Sequence, residues 1–315
     1  MKTPTFLIIK PSSLGDIVHA LLVAQMIKRG FPESRIDWVC RDIFAPLIHA
    51  CPFVDNVFLF ERHGGIAAFL RLIRTIRRQR YDWILDMQGL ARSGLITALS
   101  RAETSIGRSD AREGARFVYT MRAPLPPTGV QSHAVTILSE FLPLLGLPRD
   151  VVPRLAIHPD NVDFRKDLAM PSAPILLFPE SRRVEKNWPC FSRLTRDLRE
   201  SFQDVPVAWA GAEAMPSPSD ASERNFRNLT GKTSLQELLK LLSEARLVIG
   251  NDSGPLHLAA ALGVPTLALF GPTDPARYRP YPGDDRLNRI LRAPEGDFHR
   301  LQPETVLEAI REILT

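Results

Sequence analysis

The segment from Leu247 to Phe270 constrains the fold of this chain more than any other. An apolar run, Leu247–Ile249, ends at a polar turn, Asn251–Gly254, and a helical pattern over Pro255–Leu262 begins at once. A second apolar run, Pro265–Phe270, follows. This order predicts two buried parallel strands joined by a helix. The unpaired N–H groups and the dipole of the helix start favour an anion such as a phosphate.

The polar side chains around this turn leave two interpretations open. Asp252 and Ser253 either face a bound anion or cap a helix that is only structural. A loop in the same half of the chain, Pro179–Pro189, also follows a strand pattern, and its Lys186 could neutralise a phosphate leaving group. The basic residues of that loop are alternatively a solvated cluster. Because both segments follow strands of one predicted domain, we expect Lys186 and the turn to bind the same anion.

The composition predicts a two-domain globular protein. The chain has 315 residues, of which 44% are hydrophobic and 24% charged, values that are typical of soluble globular proteins. The N-terminal residues have an apolar core of only Phe6–Ile9, which predicts a first buried strand rather than a signal peptide. Gly263 and Pro265 interrupt the longest apolar stretch, so no transmembrane helix is expected.

Cysteine and charge usage narrow the cellular setting and the class of partner. The three cysteines form no CxxC pair, which favours a reduced cytoplasmic protein without a structural metal. The formal net charge of +5 favours an anionic partner. Nucleic acid is not expected, because the sequence has no aromatic residues interleaved with basic ones, no zinc-ligand spacing and no known nucleic-acid module.

A predicted helix near residue 70 concentrates positive charge. Such a basic amphipathic helix binds a membrane surface or an acidic ligand, or it presents an ordinary solvated face, and the helix alone leaves these alternatives open. Its apolar residues are Ile66, Phe69, Leu70, Ile73 and Ile76, and its arginines are Arg71, Arg74, Arg77, Arg78 and Arg80.

Strand patterns alternate with helical patterns along the whole chain, which predicts an α/β fold with parallel sheets. The predicted strands are Phe6–Lys10, Ile36–Val39, Val57–Phe60, Trp83–Asp86, Thr104–Ile106, Ile175–Phe178, Val207–Ala210, Leu247–Ile249, Thr266–Phe270 and Asn288–Leu291. The predicted helices are Ile17–Arg29, Ile66–Arg78, Ser93–Ser100, Ser132–Leu145, Cys190–Ser201, Ser234–Ser243, Pro255–Leu262 and Pro303–Leu314.

The alternation restarts after a proline-containing stretch, Gly146–Ala173, which is the predicted linker. We therefore expect two doubly wound parallel-sheet domains, residues 1–155 and 156–315, facing a cleft. The last helix is a candidate to pack back on the first domain. A Pro- and Ser-rich segment, Ala214–Ser222, is a predicted surface loop. Ligands of open parallel sheets bind at the carboxyl ends of the strands, so we expect the site residues there.

The first strand runs into the motif Lys10–His19, in which Gly15 is expected to permit a tight turn. A dinucleotide site is not expected, because the motif lacks GxGxxG. Asp16 is either a helix cap or a carboxylate that takes a proton from an acceptor hydroxyl. His19 either supports Asp16 or is a core or surface histidine. Both pairs of alternatives stay open on the residues alone.

The motif Asp86–Ser93 ends another strand of the first domain. Its glycine allows a ligand to approach the backbone, and Gln88 and Arg92 offer polar contacts at the same edge of the sheet. Alternatively, Arg92 and Ser93 only begin a helix.

Taken together, four motifs resemble those of the ADP-heptose glycosyltransferases, glycosyltransferase family 9. Each one could occur by chance, whereas four in family order, spread from the N-terminus to about residue 275, are specific. They are Lys10–His19 (KPSSLGDIVH), Asp86–Ser93 (DMQGLARS), Glu185–Pro189 (EKNWP) and Asn251–Pro272 (NDSGPLHLAAALGVPTLALFGP), which Thr273–Pro275 continues.

The resemblance implies a GT-B fold of two Rossmann-like domains, with the acceptor on the N-terminal domain and the nucleotide sugar on the C-terminal domain. It implies inverting transfer of heptose from ADP-heptose to Kdo of Kdo-lipid A, in the inner core of lipopolysaccharide. The enzyme is expected to be cytoplasmic and peripherally associated with the inner face of the cytoplasmic membrane. No cofactor is obligatory. A divalent metal is compatible but not required, because Lys186 and the helix amides can carry the leaving-group charge and the chain has no DxD pair.

The resemblance also implies roles for individual residues. Asp16 looks like the general base. Donor binding is expected from Ser181, Lys186, Asp252, Ser253, Gly254 and His257. Acceptor binding is expected from Ser13, Gly15, Gln88, Arg92, Arg71 and Arg74.

Three alternatives to this function are considered. A family-related transferase would use another donor or another heptose position. A sugar-nucleotide epimerase would need an acid–base pair on the donor side, for which the sequence offers no clear candidate. A non-catalytic homologue would bind the nucleotide sugar without turnover, and Asp16 together with Lys186 speaks against it.

One departure from the family is Pro179-Glu180, where relatives often have a small or glycine-rich turn. Near a diphosphate, Glu180 would have to point away or pair with Arg182 or Arg183.

Overall fold

The computed structural model describes residues 3–158, 170, 172–181, 183–218, 225–283 and 286–314. The chain divides into two compact units, Met1–His158 and Pro159–Thr315. Each unit contains a six-stranded sheet whose paired strands are all parallel, with helices between the strands. The predicted α/β class with parallel sheets is confirmed.

The first unit orders its strands β3-β2-β1-β4-β5-β6. The strands are β1 (Thr5–Ile9), β2 (Arg35–Cys40), β3 (Asn56–Leu59), β4 (Tyr81–Asp86), β5 (Ala102–Arg108) and β6 (Met121–Ala123). The helices are α1 (Leu14–Gly30), α2 (Ala45–His49), α3 (Gly65–Ile76), α4 (Ala91–Leu99) and α5 (Ala134–Ser139). The central strands β1, β2 and β4 are largely buried and mostly apolar, as in a sheet covered on both faces, whereas the edge strands β3 and β6 are partly exposed.

The second unit orders its strands β12-β11-β10-β7-β8-β9. The strands are β7 (Ile175–Phe178), β8 (Val207–Trp209), β9 (Phe226–Asn228), β10 (Leu247–Asn251), β11 (Thr266–Phe270) and β12 (Asn288–Arg292). The helices are α6 (Phe191–Ser201), α7 (Leu235–Ser243), α8 (Gly254–Leu262), α9 (Pro275–Tyr278) and α10 (Pro303–Leu314). Val306 and Ile310 of α10 lie in the core of this unit, where α10 packs against α6.

The strand order reverses once in each sheet, between β1 and β4 in the first unit and between β7 and β10 in the second. The register places Ile9 beside Asp86 and Phe178 beside Gly250. A Cβ at Gly250 would lie 2.9 Å from the Cβ of Phe178, so glycine permits the close approach of these strands. Doubly wound sheets bind ligands beside such a reversal, at the carboxyl edge. The segments that leave these four strands carry most of the predicted site residues.

Several elements differ from the sequence prediction. The predicted helix Ser132–Leu145 is interrupted, because α5 ends at Ser139 and a 3₁₀ helix covers Pro143–Leu145. Pro143 has no N–H to donate to a continuing helix. Four elements were not predicted, namely α2, α9, β6 and β9. They have only three to five residues, too few for a period to show in the sequence.

The predicted linker and loop lie only partly among the described residues. From 147 to 158 the chain has neither helix nor strand, and the same holds from 214 to 218. Positions 159–169, 171 and 219–222 of these two predicted segments lie outside the described residues.

Candidate functional site

Asp16 lies in the first turn of α1, directly beyond the end of β1. Its Oδ2 accepts hydrogen bonds from the backbone N–H of Ser13 at 3.0 Å and from the Ser13 hydroxyl at 2.6 Å. Asp16 therefore caps the helix, and α1 begins earlier than the predicted Ile17. Gly15 is part of this helical turn rather than of the tight turn expected before it. The cap uses one carboxylate oxygen, Oδ2, and thereby fixes the direction in which the other oxygen, Oδ1, points.

Lys10 is the charged neighbour of Asp16, and the sequence had suggested no role for it. Its Nζ lies 3.9 Å from Asp16 Oδ1, and its side chain is 4% exposed whereas that of Asp16 is 47% exposed. A buried ammonium needs nearby negative charge. Asp16 and, at the end of the adjacent strand, Asp86 provide that charge, whereas Arg108 opposes it. The available sequence signal was a lysine placed directly after a buried central strand.

The pKa of Asp16 reflects several competing influences. Partial burial raises it, but the charge of Lys10 and the two hydrogen bonds from Ser13 outweigh burial, with a smaller contribution from His19. The pKa of Asp16 falls as a result to about 2. Burial lowers the pKa of Lys10, and the Asp16 charge opposes that effect. Asp16 is thus an anion at neutral pH with a carboxylate that solvent reaches, which is the protonation state of a general base.

His19 is buried, and its ring packs edge-on against that of His133 with centroids 5.2 Å apart. This placement agrees with the core alternative for His19, although its charge also lowers the pKa of Asp16.

The end of β4 forms a second polar centre around buried Asp86. Its Oδ1 accepts the N–H groups of Gln88 and Gly89, both at 3.0 Å, and its Oδ2 accepts the hydroxyl of Tyr119 at 2.7 Å. Gly89 has a φ of +71°, in the left-handed region that favours glycine. The Oε1 of Gln88 is buried and has no hydrogen-bond partner within the described part of the chain. That oxygen is an acceptor left for a ligand.

The three arginines predicted to bind the acceptor lie on the exposed surface of the first unit. The guanidinium of Arg92 stacks 5.3 Å from the centroid of the Phe60 ring. Arg71 pairs with Glu61 at 3.6 Å, and both side chains are exposed. Arg74 is exposed on the same helix, α3. These contacts do not join the arginines to Asp16.

In the second unit, α8 begins at Gly254 directly after β10, as the sequence predicts. Ser253 holds the position of a cap, yet its side chain makes no capping hydrogen bond. Its Oγ is buried, with no partner among the residues that the structure describes. The structural alternative, in which Ser253 satisfies the helix start, is therefore not what the structure contains. A buried hydroxyl and the first N–H groups of α8 are left for an anion.

Lys186 is held against Asp252, with 2.5 Å between Nζ and Oδ2 and both side chains largely buried. The same ammonium lies 5.5 Å from the centroid of the Tyr278 ring, and Asp252 Oδ1 lies 3.9 Å from His257 Nε2. Three predicted donor-site residues, Lys186, Asp252 and His257, thus come together. An ammonium has three protons to donate, so the bond to Asp252 leaves donors for a phosphate.

Asn251 is a further site residue that sequence reasoning missed. It is fully buried; its Nδ2 donates to the carbonyl of Pro179 and its Oδ1 accepts the N–H of Trp188, both at 3.0 Å. Asn251 thereby fixes both ends of the loop that carries Lys186 to the end of β10. The available signal was a polar amide placed directly after a buried strand.

Ser181 is engaged within that loop. Its hydroxyl donates to the carbonyl of Arg183 at 2.9 Å, and its N–H donates to Asn187 Oδ1 at 2.7 Å. Glu180, the departure from the family pattern, is exposed. Arg183 pairs with Glu185 at 2.6 Å rather than with Glu180, and Arg182 lies outside the described residues.

Two features are absent from the described residues. No group of three or more His, Cys, Asp or Glu side chains there could hold a metal ion, and the independence from metal stays a prediction. No helix there combines the length and the apolarity needed to cross a membrane.

Comparisons with known proteins agree with this architecture. Residues 69–307 match glycosyltransferase family 9 (heptosyltransferase). Lipopolysaccharide heptosyltransferase 1 of Pseudomonas aeruginosa is 30% identical over 294 residues, which cover 85% of this chain and 79% of that protein. The protein of the same name from Escherichia coli K12 is 27% identical over 329 residues, covering 98% and 99%. The solved structure of E. coli heptosyltransferase WaaC with ADP has a TM-score of 0.82 at 24% identity, covering 98% and 99%.

The two doubly wound parallel sheets form a GT-B fold, and the family match shows that the chain is a glycosyltransferase. Within that class, the chain belongs to glycosyltransferase family 9, the heptosyltransferase family. The family and the fold expected from the four motifs are confirmed.

Proposed function

We propose that this chain catalyses the inverting transfer of a heptosyl residue from ADP-heptose to a Kdo residue of Kdo-lipid A, in the inner core of lipopolysaccharide. Family membership supports heptosyl transfer, and the relatives from P. aeruginosa and E. coli are named lipopolysaccharide heptosyltransferase 1. The observation that carries the proposal is the start of α8, where the buried hydroxyl of Ser253, which has no partner among the described residues, follows Asp252, the partner of Lys186.

The diphosphate of ADP-heptose is proposed to bind at this helix start. The Gly254 N–H and the Ser253 hydroxyl donate to phosphate oxygens, and Lys186 turns its remaining ammonium protons to the same group. Negative charge grows on the diphosphate as ADP leaves. Donors that are already aligned with such a charge typically lower the barrier by about 3 kcal/mol each. For the same reason the proposal needs no metal.

The chemical step uses Asp16 as the base. The acceptor hydroxyl oxygen attacks the anomeric carbon of the heptose from the face opposite ADP, and the bond from that carbon to the phosphate oxygen breaks. The hydroxyl proton passes to Asp16 Oδ1, and the electron pair of the broken bond leaves with ADP. One glycosidic bond replaces one phosphate ester bond, with inversion at the anomeric carbon.

The low pKa of Asp16 constrains the timing of the proton transfer. A base with a pKa of about 2 is fully ionised at pH 7, but it is too weak to remove a proton from a free alcohol. The hydroxyl becomes acidic only once its oxygen has begun to bond to the electron-poor anomeric carbon. We therefore expect the proton to move late, after much of the new bond has formed.

The acceptor is proposed to bind on the first unit. Oε1 of Gln88, which no described residue contacts by a hydrogen bond, can accept a sugar hydroxyl, and Ser13 and Gly15 lie in the turn that presents Asp16. Arg71, Arg74 and Arg92 are exposed cations suited to the carboxylate of Kdo and the phosphates of lipid A. Because lipid A is embedded in a bilayer, the protein is proposed to work in the cytoplasm, bound peripherally to the inner face of the cytoplasmic membrane.

Transfer assays with defined donors and acceptors test the proposal. Detergent-dispersed Kdo-lipid A is incubated with ADP-heptose, and in parallel with ADP-glucose or UDP-N-acetylglucosamine. ADP release, product mass and the anomeric configuration of the product by NMR are measured. We expect product only with ADP-heptose, carrying one added heptose of inverted configuration.

Three results would contradict the proposal. Product formation only on an acceptor that already carries heptose would indicate another heptose position. Preference for another nucleotide sugar would indicate another donor. Tight ADP-heptose binding without ADP release on either acceptor would indicate a binding homologue.

A further inference from the structure

One layer of the first unit combines apolar and basic side chains on its outer surface. Helices α3 and α4 cover the same side of the sheet, where Ile73 and Ile96 share a core cluster with Ile9. The 3₁₀ helix Ala115–Val118 packs directly on α4, since a Cβ at Gly94 would lie 2.9 Å from that of Ala115. Strand β6 follows this 3₁₀ helix at the edge of the sheet. The four elements are therefore neighbours along one side of the unit.

Large apolar side chains on these four elements point to solvent. We call them the exposed apolar face: Ile66, Leu70, Leu95, Phe117, Val118 and Met121. Phe117 is 75% exposed and Ile66 is 80% exposed, so both side chains are mostly in contact with solvent although residues of these types are usually buried. An apolar group of this size that clusters on one face marks an interaction surface.

The charges of the same elements all have one sign. Arg71 and Arg74 lie on α3, Arg92 on α4, Arg116 on the 3₁₀ helix and Arg122 on β6, and all five side chains are exposed. None of the four elements, each of which is fully described, contains an Asp or Glu. Two carboxylates from neighbouring segments approach these elements, since Glu61 pairs with Arg71 at 3.6 Å and Glu113 accepts the N–H of Ala91 at the start of α4. The five arginines outnumber these two carboxylates, so the face complements a surface that is negatively charged and has an apolar interior.

We propose that the exposed apolar face docks on a bilayer that contains anionic phospholipids, with Phe117 as its principal anchor. This inference rests on the proposed function, in which the acceptor is embedded in a membrane. The exposed apolar face is the surface through which the protein associates peripherally with that membrane. Phe117 enters the boundary between headgroups and acyl chains, and the arginines stay at the level of the lipid phosphates.

The geometry of Arg116 and Phe117 fits this depth. The Arg116 guanidinium lies 4.8 Å from the centroid of the Phe117 ring, so the cation and the ring project from the surface together. A ring in the acyl region with a guanidinium just above it matches the order of apolar and anionic layers in a membrane surface. A protein partner would need acidic groups around an apolar pocket; a bilayer of phosphatidylglycerol offers both without further specificity.

The test is vesicle flotation without any sugar substrate. Wild-type protein is mixed with vesicles of phosphatidylethanolamine and phosphatidylglycerol, or with vesicles of phosphatidylcholine alone, and the partition constant is measured. We expect strong binding to the anionic vesicles only, weakened by salt. Phe117→Ser should lower the partition constant about tenfold, because one aromatic side chain loses its burial. Arg116→Gln and Arg122→Gln should each lower it about fivefold, since each removes one lipid-facing charge.

Leu95→Ser and Leu287→Ser form a matched pair. Both leucines are partly exposed to a similar extent, 49% and 43%, but Leu287 lies in the second unit and belongs to none of these four elements. We expect Leu95→Ser to weaken binding and Leu287→Ser to leave it unchanged. Unchanged thermal midpoints confirm that the variants fold.

Two outcomes would overturn the proposal. In one, Phe117→Ser binds anionic vesicles as tightly as the wild type. In the other, the wild type self-associates through this face in lipid-free buffer and Phe117→Ser is monomeric, so the face is covered by a second copy. Heptosyl transfer to detergent-dispersed acceptor is assayed separately. If the wild type binds vesicles but does not transfer heptose, only the proposed function is refuted. If it transfers heptose normally but does not bind vesicles, only the docking role of the exposed apolar face is refuted.

Discussion

The ammonium of Lys10 lies 3.9 Å from Oδ1 of Asp16, and of the two side chains only that of Asp16 is open to solvent. The pair places a buried positive charge behind the carboxylate oxygen that the Ser13 cap leaves unused. Lys10 therefore holds Asp16 in its ionised form while solvent and substrate approach from the other side. The arrangement keeps the base charged at every physiological pH, and it limits the strength of that base.

Replacing Lys10 tests this relationship through the pH dependence of transfer. Without the cation, burial is opposed by the Ser13 hydrogen bonds and by His19 but no longer by Lys10, and the pKa of Asp16 rises from its low value. Because the ionised form is the active one, Lys10→Met should move the acid limb of the kcat/KM profile upward by about one to two pH units. With the pKa of Asp16 raised from about 2 to about 3–4, the ratio of activity at pH 4 to activity at pH 8 should be lower in Lys10→Met than in the wild type. Lys10→Arg retains the charge and serves as the control. An acid limb at the same pH in Lys10→Met would contradict the electrostatic role.

The contact between Lys186 and Asp252 allows stability to be separated from donor binding. Lys186→Met leaves the buried carboxylate of Asp252 without its cation, which costs about 3 kcal/mol of stability for a pair this buried. We expect a lower thermal midpoint and a raised KM for ADP-heptose. The double variant Lys186→Met/Asp252→Asn removes both charges, so its midpoint should recover while its KM stays high. Recovery of donor binding in the double variant would show that Lys186 does not contact the diphosphate.

Asn251 should matter for donor binding although it need not touch the donor. Asn251→Ala frees the carbonyl of Pro179 and the N–H of Trp188, and two buried backbone groups without partners cost about 1–3 kcal/mol each. The Lys186 loop should loosen, with a raised KM for ADP-heptose and faster proteolysis at the loop. Asn251→Asp keeps the acceptor for Trp188 and should show a smaller effect. Equal KM values for wild type and Asn251→Ala would contradict the positioning role.

Tyr119 supports the buried Asp86, whose pKa is raised by burial. Tyr119→Phe removes a hydrogen bond that only the ionised carboxylate needs in full. The loss of stability should be about 1–3 kcal/mol at pH 8 and smaller at a lower pH such as 5, because a raised pKa lets Asp86 take up a proton earlier as the pH falls. Chemical denaturation at both pH values measures this difference. Tyr81→Phe, which removes a hydroxyl from buried Asp37, is the matched control and should leave transfer kinetics unchanged. A pH-independent loss in Tyr119→Phe would contradict the account of Asp86.

Much of the fold follows from the sequence because its signals are local. Buried parallel strands such as Ile175–Phe178 are continuous apolar runs, and the capping pattern of Ser234 and Glu237 starts α7 where the periodicity predicts it. The break at Pro143 was underestimated because the apolar spacing continues through it. Three-residue edge strands such as Met121–Ala123 carry no period and form only because a neighbouring strand is there to pair with.

The site was predicted as a set of residues but not as a set of contacts. Asp16, Lys186 and the turn at Asp252 stand out by residue type and position. The partners Lys10, Asn251 and Tyr119 depend on which side chains are buried together across strands distant in sequence, and no local pattern encodes that. Ser253 shows the limit most clearly, since its sequence fits a helix cap and only the structure reveals that its hydroxyl is not used as one.

The measurement that tests the central claim most directly compares wild type with Asp16→Asn, a variant that keeps an oxygen for the Ser13 N–H but cannot accept the acceptor proton. ADP-heptose binding by calorimetry and single-turnover transfer to Kdo-lipid A are measured on both. We expect unchanged donor affinity and a transfer rate lower by about 10²–10⁴-fold in Asp16→Asn, the usual contribution of a general base. Wild-type transfer by Asp16→Asn, or no transfer of heptose to Kdo-lipid A by the wild type, would contradict the account.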